Sequence, residues 1–255
     1  MTRRDRLKGL LLPTTLVLGL EIWLRLLPFA SDSVAPPSAA VLALLRGLLD
    51  GSVLTATMQT LIGAVSGLCI GVAIGLVLGI VMGLMTWLDR LLEVTVESVR
   101  PIPSVALLPI ALMIFGFGYA MELSIVAKTC LFTTLIFTRA AVQGVEPRLL
   151  EVARALRLSR IASVTKIVLP AALPQIFIAF RLAAASALIV AVTVEITLNP
   201  QGLGYAMMTA QQALRPDLML GYLLWIGIVG YGWNALLLLA QRHLFGRAAL
   251  SEAMQ

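Results

Sequence analysis

The sequence predicts an all-α protein: one polytopic membrane bundle over residues 1–255, with about six transmembrane helices and a helical hairpin held outside the membrane. Three observations lead there. No Asp, Glu, Lys or Arg occurs between Asp50 and Asp89, a run longer than the roughly 20 apolar residues one helical span needs. Charged residues make up 13% of the chain, about half of the ~25% usual in a soluble domain. Mean hydropathy is +0.98. A soluble fold would need charged or polar faces on such helices, and the central run has no charged one.

Apolar runs place the spans at residues 10–27, 58–86, 103–118, 121–142, 172–194 and 218–240. The first follows Arg3, Arg4, Arg6 and Lys8 and has the look of a leader peptide. Glu21 and Arg25 interrupt it late and no A-x-A cleavage site follows, so a retained first helix is expected. In the connection at 28–50, Pro36 and Pro37 break the chain. Ser38 is the expected cap of a short helix with Val41, Leu42, Leu44, Leu45, Leu48 and Leu49 on its apolar side.

The second span carries Gly63, Gly67, Gly71, Gly75, Gly79 and Gly83. Glycines at four-residue spacing form a groove into which a neighbouring helix packs backbone to backbone. The third span is short and interrupted by Pro103 and Pro109. Irregular backbone at membrane depth is tolerated where it is packed in protein or lines a cavity, which makes Pro109 a candidate for the solute path.

Six spans put both ends on one side. With that side cytoplasmic, 14 of the 19 Lys and Arg residues face inward and only Arg46 and Arg215 lie in outer loops. Arg25, Lys128 and Arg181 sit within or at the ends of spans. The positive-inside rule is met, so the net charge of +6 is a topology signal and not a nucleic-acid footprint.

The largest inner loop, residues 139–171, reads as a helical hairpin. Pro147 suits a first helical position. Leu149, Leu150, Ala153 and Leu156 recur at helical spacing, and Ser159 reads as the N-cap of a second short helix ending before Pro170. Composition leaves a solvated connector and a partner-docking helix both open.

Other chemistries are excluded. A P-loop needs a lysine directly after a glycine, and none of Lys8, Lys128 and Lys166 has one. His243 is the single histidine, and Cys69 and Cys130 both lie in apolar segments. No metal or cofactor is expected. Charges inside a bilayer are expensive and mark function by default. Glu195 therefore either lines the solute path or braces a loop by hydrogen bonds. Lys128 either faces that path, snorkels to an interface, or pairs with Glu122.

The run Glu151-Val152-Ala153-Arg154-Ala155-Leu156-Arg157, followed by Ile167-Val168-Leu169-Pro170, resembles the E-A-A motif of bacterial ATP-binding-cassette importer permeases. That motif is E-A-A, three residues, G, nine residues, then I-x-L-P. Glu151, Ala153, Ile167, Leu169 and Pro170 fall in register, whereas Val152 replaces the second alanine and Arg157 the glycine. Arg100-Pro101-Ile102-Pro103, Ala106-Leu107-Leu108-Pro109, Phe115-Gly116-Phe117-Gly118, Leu169 to Pro174 and Gly202-Leu203-Gly204-Tyr205 are similar to the nitrate, sulfonate, taurine and bicarbonate group of those permeases.

The resemblance implies a non-catalytic subunit of the bacterial cytoplasmic (inner) membrane with both termini cytoplasmic. Two permease copies, most simply a homodimer, would form the pathway. Two separate ATPase subunits would supply energy, and an extracytoplasmic solute-binding protein would deliver a small anion such as an aliphatic sulfonate, taurine or nitrate. The helix at about 147–158 would seat in the ATPase through Leu150, Glu151, Ala153, Arg154, Leu156 and Arg157. The alternatives are a passive channel, which has no use for a large amphipathic hairpin, and a membrane-embedded enzyme, which needs clustered reactive groups that the spans do not supply.

Overall fold

Helices form wherever the apolar runs are long, and Pro174 is carried inside one of them. The computed structural model describes residues 3–26 and 34–245. In order the helices are α1 (Arg3–Leu26), α2 (Pro37–Leu49), α3 (Ser52–Leu84), α4 (Thr86–Val99), a 3-10 turn (Ser104–Leu107), α5 (Leu108–Phe115), α6 (Tyr119–Gln143), α7 (Pro147–Ala155), α8 (Arg160–Ser163), a π turn (Val164–Val168), α9 (Leu169–Thr197), α10 (Gly202–Gln212) and α11 (Pro216–Phe245). Among the described residues there is no strand.

Four stretches are long and apolar enough to cross a membrane: α3, α6, Ile161–Gln212, which contains α9, and α11. The expected first span falls on α1, except for residue 27, which lies outside the described residues. The expected third span is corrected. Its helical core, α5, has 8 residues, about 12 Å at 1.5 Å per residue, too short for a core of about 30 Å. It passes as a span only together with α4, from which it is bent by 82°. Pro101 and Pro103 sit in the bend, where each removes a backbone donor and disfavours helix at the residue before it.

The core is α3, α6 and α9. Ala64, Leu68, Val126, Cys130, Ala183, Ala184, Ala187 and Ala191 meet there, nearly all inaccessible. In lipid there is no hydrophobic force between helices, so close packing of small residues carries the association. The glycines of α3 face α6 in matching register. A β-carbon on Gly67 would meet Val126, on Gly71 Cys130, on Gly75 Thr134, on Gly79 Thr138 and on Gly83 Val142, while one on Gly63 would run into the Glu122 carboxylate. Residue numbers rise together on both helices, so α3 and α6 run parallel. α9 runs antiparallel to both: its start packs near Val142 and its end reaches Thr60.

Two ties fix the periphery. Arg139 on α6 pairs with Asp89 at 2.6 Å and Glu93 at 2.9 Å, and Gln143 donates to Asp89 at 2.9 Å. This pins α4 to the end of α6. At the opposite end, Ser38 does not cap α2 as expected, because Pro36 occupies the cap and Pro37 the first turn. Instead Glu21 of α1 accepts from the Ser38 amide at 3.0 Å and hydroxyl at 2.7 Å. A carboxylate from another helix thus serves the helix N-terminus. On α2, Leu44 is buried while Val41, Leu42, Leu45 and Leu49 are exposed. α11 is the least buried of the four spans, with 6% of its membrane window buried, though Tyr222, Trp225 and Trp233 pack against the core.

Candidate functional site

The hairpin begins at Pro147, in the first turn of α7. α7 ends in a paired turn: the Arg157 amide donates to the Arg154 carbonyl and the Leu158 amide to the Ala153 carbonyl, both at 3.0 Å. That is a Schellman cap, which needs a left-handed residue at the position after the cap. Arg157 fills it at φ 50°, so an L side chain takes a conformation that glycine adopts without cost. Ser159 accepts from the Ala162 amide at 3.2 Å and opens α8. The second helix does not stop before Pro170. It runs through the π turn into α9, so Pro170 lies inside a continuous helix directly after that turn, where it donates no backbone bond to the preceding turn.

Side chains on α7 divide by face. Ala153 is 4% exposed, against the expectation that it forms part of an outward contact side. Leu149, Val152 and Leu156 are instead the exposed apolar residues, at 38%, 50% and 64%. Their spacing of three and four places them on one stripe. Glu151, Arg154 and Arg157 are exposed beside them. The Leu150 side chain lies outside the described residues. Val152, a departure from the motif in the sequence, belongs to the exposed stripe.

At the other end of the bundle, two carboxylates are buried. Glu195 accepts from Thr60 at 3.0 Å and from the Gly204 amide at 2.9 Å. The Leu203 amide donates to Thr60 at 2.9 Å. Glu122 accepts from Asn199 at 2.8 Å, and Asn199 in turn accepts from the Gly118 amide at 3.0 Å. Gly202 has φ 87°, and a β-carbon there would collide with the Glu195 carboxylate. These bonds tie α3, α6, the loop at 198–201 and α10 together. One oxygen of each carboxylate is left without a partner.

Two cavities flank this core. The larger, of about 760 Å³, is lined by Asp50, Gln59, Gln201, Tyr205, Arg215 and Tyr222 among others. Hydrogen bonds from Ser52 hold the Asp50 carboxyl below its ordinary range. The smaller, of about 280 Å³, lies between the α4–α5 break and α6, and contains Lys128. Lys128 donates to the Ile102 carbonyl at 2.5 Å and stands 5.8 Å from the Phe132 ring centre. Of the sequence-selected path residues, Glu195 is in the buried knot, Lys128 lines this cavity, and Pro109 is exposed in the first turn of α5. The three do not converge. Arg100 and Glu122, which the sequence did not select, take more prominent places than Pro109.

Residues 71–249 match the family of binding-protein-dependent transport system inner membrane components. The chain belongs to that family. This permease is 29% identical over 241 residues to a putative aliphatic sulfonates transport permease protein of Bacillus subtilis, covering 93% of this chain and 86% of the relative. It is 30% identical over 241 residues to a bicarbonate transport system permease protein of Synechococcus elongatus, covering 89% and 86%. The fold is similar to that of the MetNI methionine ABC transporter in an inward-facing conformation, with TM-score 0.65 and 22% identity over 82% of this chain and 96% of that one. The permease is thus an all-helical, multi-pass membrane subunit. Its family match spans most of the glycine ladder, the hairpin and α9 to α11.

Proposed function

We propose that this permease forms half of the pathway of an ATP-driven importer for a small anion, and that a separate ATPase acts on it through α7. Two ATPase subunits, a second copy of this chain and an extracytoplasmic solute-binding protein complete the assembly. The termini and the hairpin lie on the ATPase side of the cytoplasmic membrane. An anionic solute, an aliphatic sulfonate or taurine ahead of nitrate, is favoured by the sulfonate and bicarbonate transport that the relatives are named for.

One observation carries the coupling proposal: Leu149, Val152 and Leu156 form an exposed apolar stripe on a helix outside every span. Glu151 and Arg154 flank it and would set the orientation of a partner. Weighting a full-burial value of about 1.5–3 kcal/mol per side chain by the exposures above, covering the stripe supplies about 2–5 kcal/mol at most. That is roughly a 40- to 2000-fold effect on affinity.

The test is the triple variant Leu149→Ser, Val152→Ser, Leu156→Ser in cells carrying the whole transporter. It is expected to insert at the unmodified level, to lose co-purification with the ATPase and to abolish uptake. Normal insertion with undiminished ATPase capture and uptake would make the hairpin a mere connector.

A further inference from the structure

The cavity of about 280 Å³ beside α6 has a lining that the fold alone does not need. Arg100, Lys128, Ser104, Thr129, Thr133 and Phe132 all border it. Among the described residues neither Arg100 nor Lys128 takes part in an ion pair. Arg139, by contrast, is held between two carboxylates. A half-buried lysine on a membrane helix costs free energy unless a counter-charge compensates it, and the exposed Arg100 adds a second positive charge to the same cavity.

The donors are arranged for such a visitor. An ammonium has three hydrogens, and Lys128 spends one on the Ile102 carbonyl, an acceptor freed by the proline-broken backbone. The Thr129 hydroxyl lies 2.7 Å from the Ser104 oxygen. With Thr129 donating there, the hydrogen of Ser104 remains for another acceptor. The cavity also lies at a favourable depth. Lys128 is the tenth residue of α6, about 14 Å along the helix, level with the break between α4 and the 3-10 turn. In secondary transporters, solute sites sit near the midplane at broken helices, and the cavity here borders such a break.

We propose that this cavity is the anion subsite of the pathway, where the Lys128 ammonium, the Arg100 guanidinium and the Ser104 hydroxyl hold the charged end of a small oxyanion during transit. The proposal rests on the importer function above and adds the site and its ligand class. At about 280 Å³ it lies just under the usual range for small-molecule pockets, which fits a planar or tetrahedral oxyanion with a short tail and excludes a bulky one.

The test uses the complete transporter in proteoliposomes, with labelled methanesulfonate, nitrate and bicarbonate as probes and neutral dimethyl sulfone as a competitor. Lys128→Gln keeps a donor for the Ile102 carbonyl and removes the charge; Arg100→Gln removes a charge at an exposed position with no ion-pair partner. Each is expected to lower uptake of the transported anion at least tenfold at unchanged insertion and ATPase capture. Lys128→Arg is expected to restore at least a third of the rate, and dimethyl sulfone not to compete. If the unmodified complex moves one of the anions and both Gln variants move it equally well, the subsite is wrong and the importer reading stands. If the unmodified complex moves none of the three anions, the anionic-solute reading falls and the subsite with it.

Discussion

Replacing Gly75 with Ala adds one methyl group at the tightest seam in the bundle. That methyl would sit 2.5 Å from the Leu131 carbonyl oxygen and 3.0 Å from the Thr134 β-carbon. Carbon–carbon contacts are optimal at about 3.5–4.0 Å, and the carbonyl belongs to the backbone and cannot rotate away. The two helices must separate by roughly half to one ångström, which forfeits about a quarter to a half of each neighbouring contact. Overpacking of this kind costs about 1–3 kcal/mol, while Ala in place of Gly returns about 1 kcal/mol of helix propensity. Gly227 on α11 supplies the control, because a β-carbon there meets nothing within 4 Å and receives the propensity gain alone. Gly75→Ala should therefore unfold below Gly227→Ala by about 1–3 kcal/mol, or roughly 2–12 °C at about 2–4 °C per kcal/mol. Thermal unfolding of both variants in one detergent, followed by circular dichroism, measures the gap. Equal midpoints would refute backbone-level packing of α3 on α6.

Three further outcomes are expected. Arg157→Gly relieves a left-handed side chain and should stabilise the hairpin by about 1 kcal/mol, seen as slower hydrogen exchange at the amides of residues 157 and 158. Arg139→Ala strands the buried Asp89 carboxylate and should cost about 3 kcal/mol, whereas removing Asp89 and Arg139 together should cost less than the two single changes added; a double-mutant cycle of unfolding free energies reads this. Arg154→Cys in a Cys69→Ser background should resist an impermeant maleimide in intact cells and label once the membrane is opened, and ready labelling of intact cells would reverse the orientation.

The glycine spacing was legible in the sequence because four-residue periodicity survives any packing partner. The partner was not, since nothing around residues 122–142 announces that Val126, Cys130, Thr134 and Thr138 lie in the same register. Pro103 and Pro109 marked a weak third span, but how far the chain bends there depends on what α4 rests against, namely Arg139 of α6, 50 residues from the Asp89 it grips. Ser38 had the local chemistry of a cap and lost that place to Pro36 and Pro37, with Glu21 answering the helix end from outside. On α7 the helix itself was readable from Pro147. Its inward face was not, because apolar residues lie on two sides and the turn at Arg157 decides which side meets the bundle. Glu122 drew little notice as a lone acid in an apolar run, since Asn199 is 77 positions distant.

The unbroken passage from α8 through the π turn into α9 turns one long helix into a lever arm. α9 has 29 residues with Pro174 inside it, about 43 Å in length. With the short end held at the hairpin, a tilt of about 5° there sweeps roughly 4 Å at the far tip. That tip carries Glu195, whose two hydrogen bonds clamp α10 and α3, so a displacement too small to notice at the hairpin arrives where it must either break the clamp or carry its neighbours along.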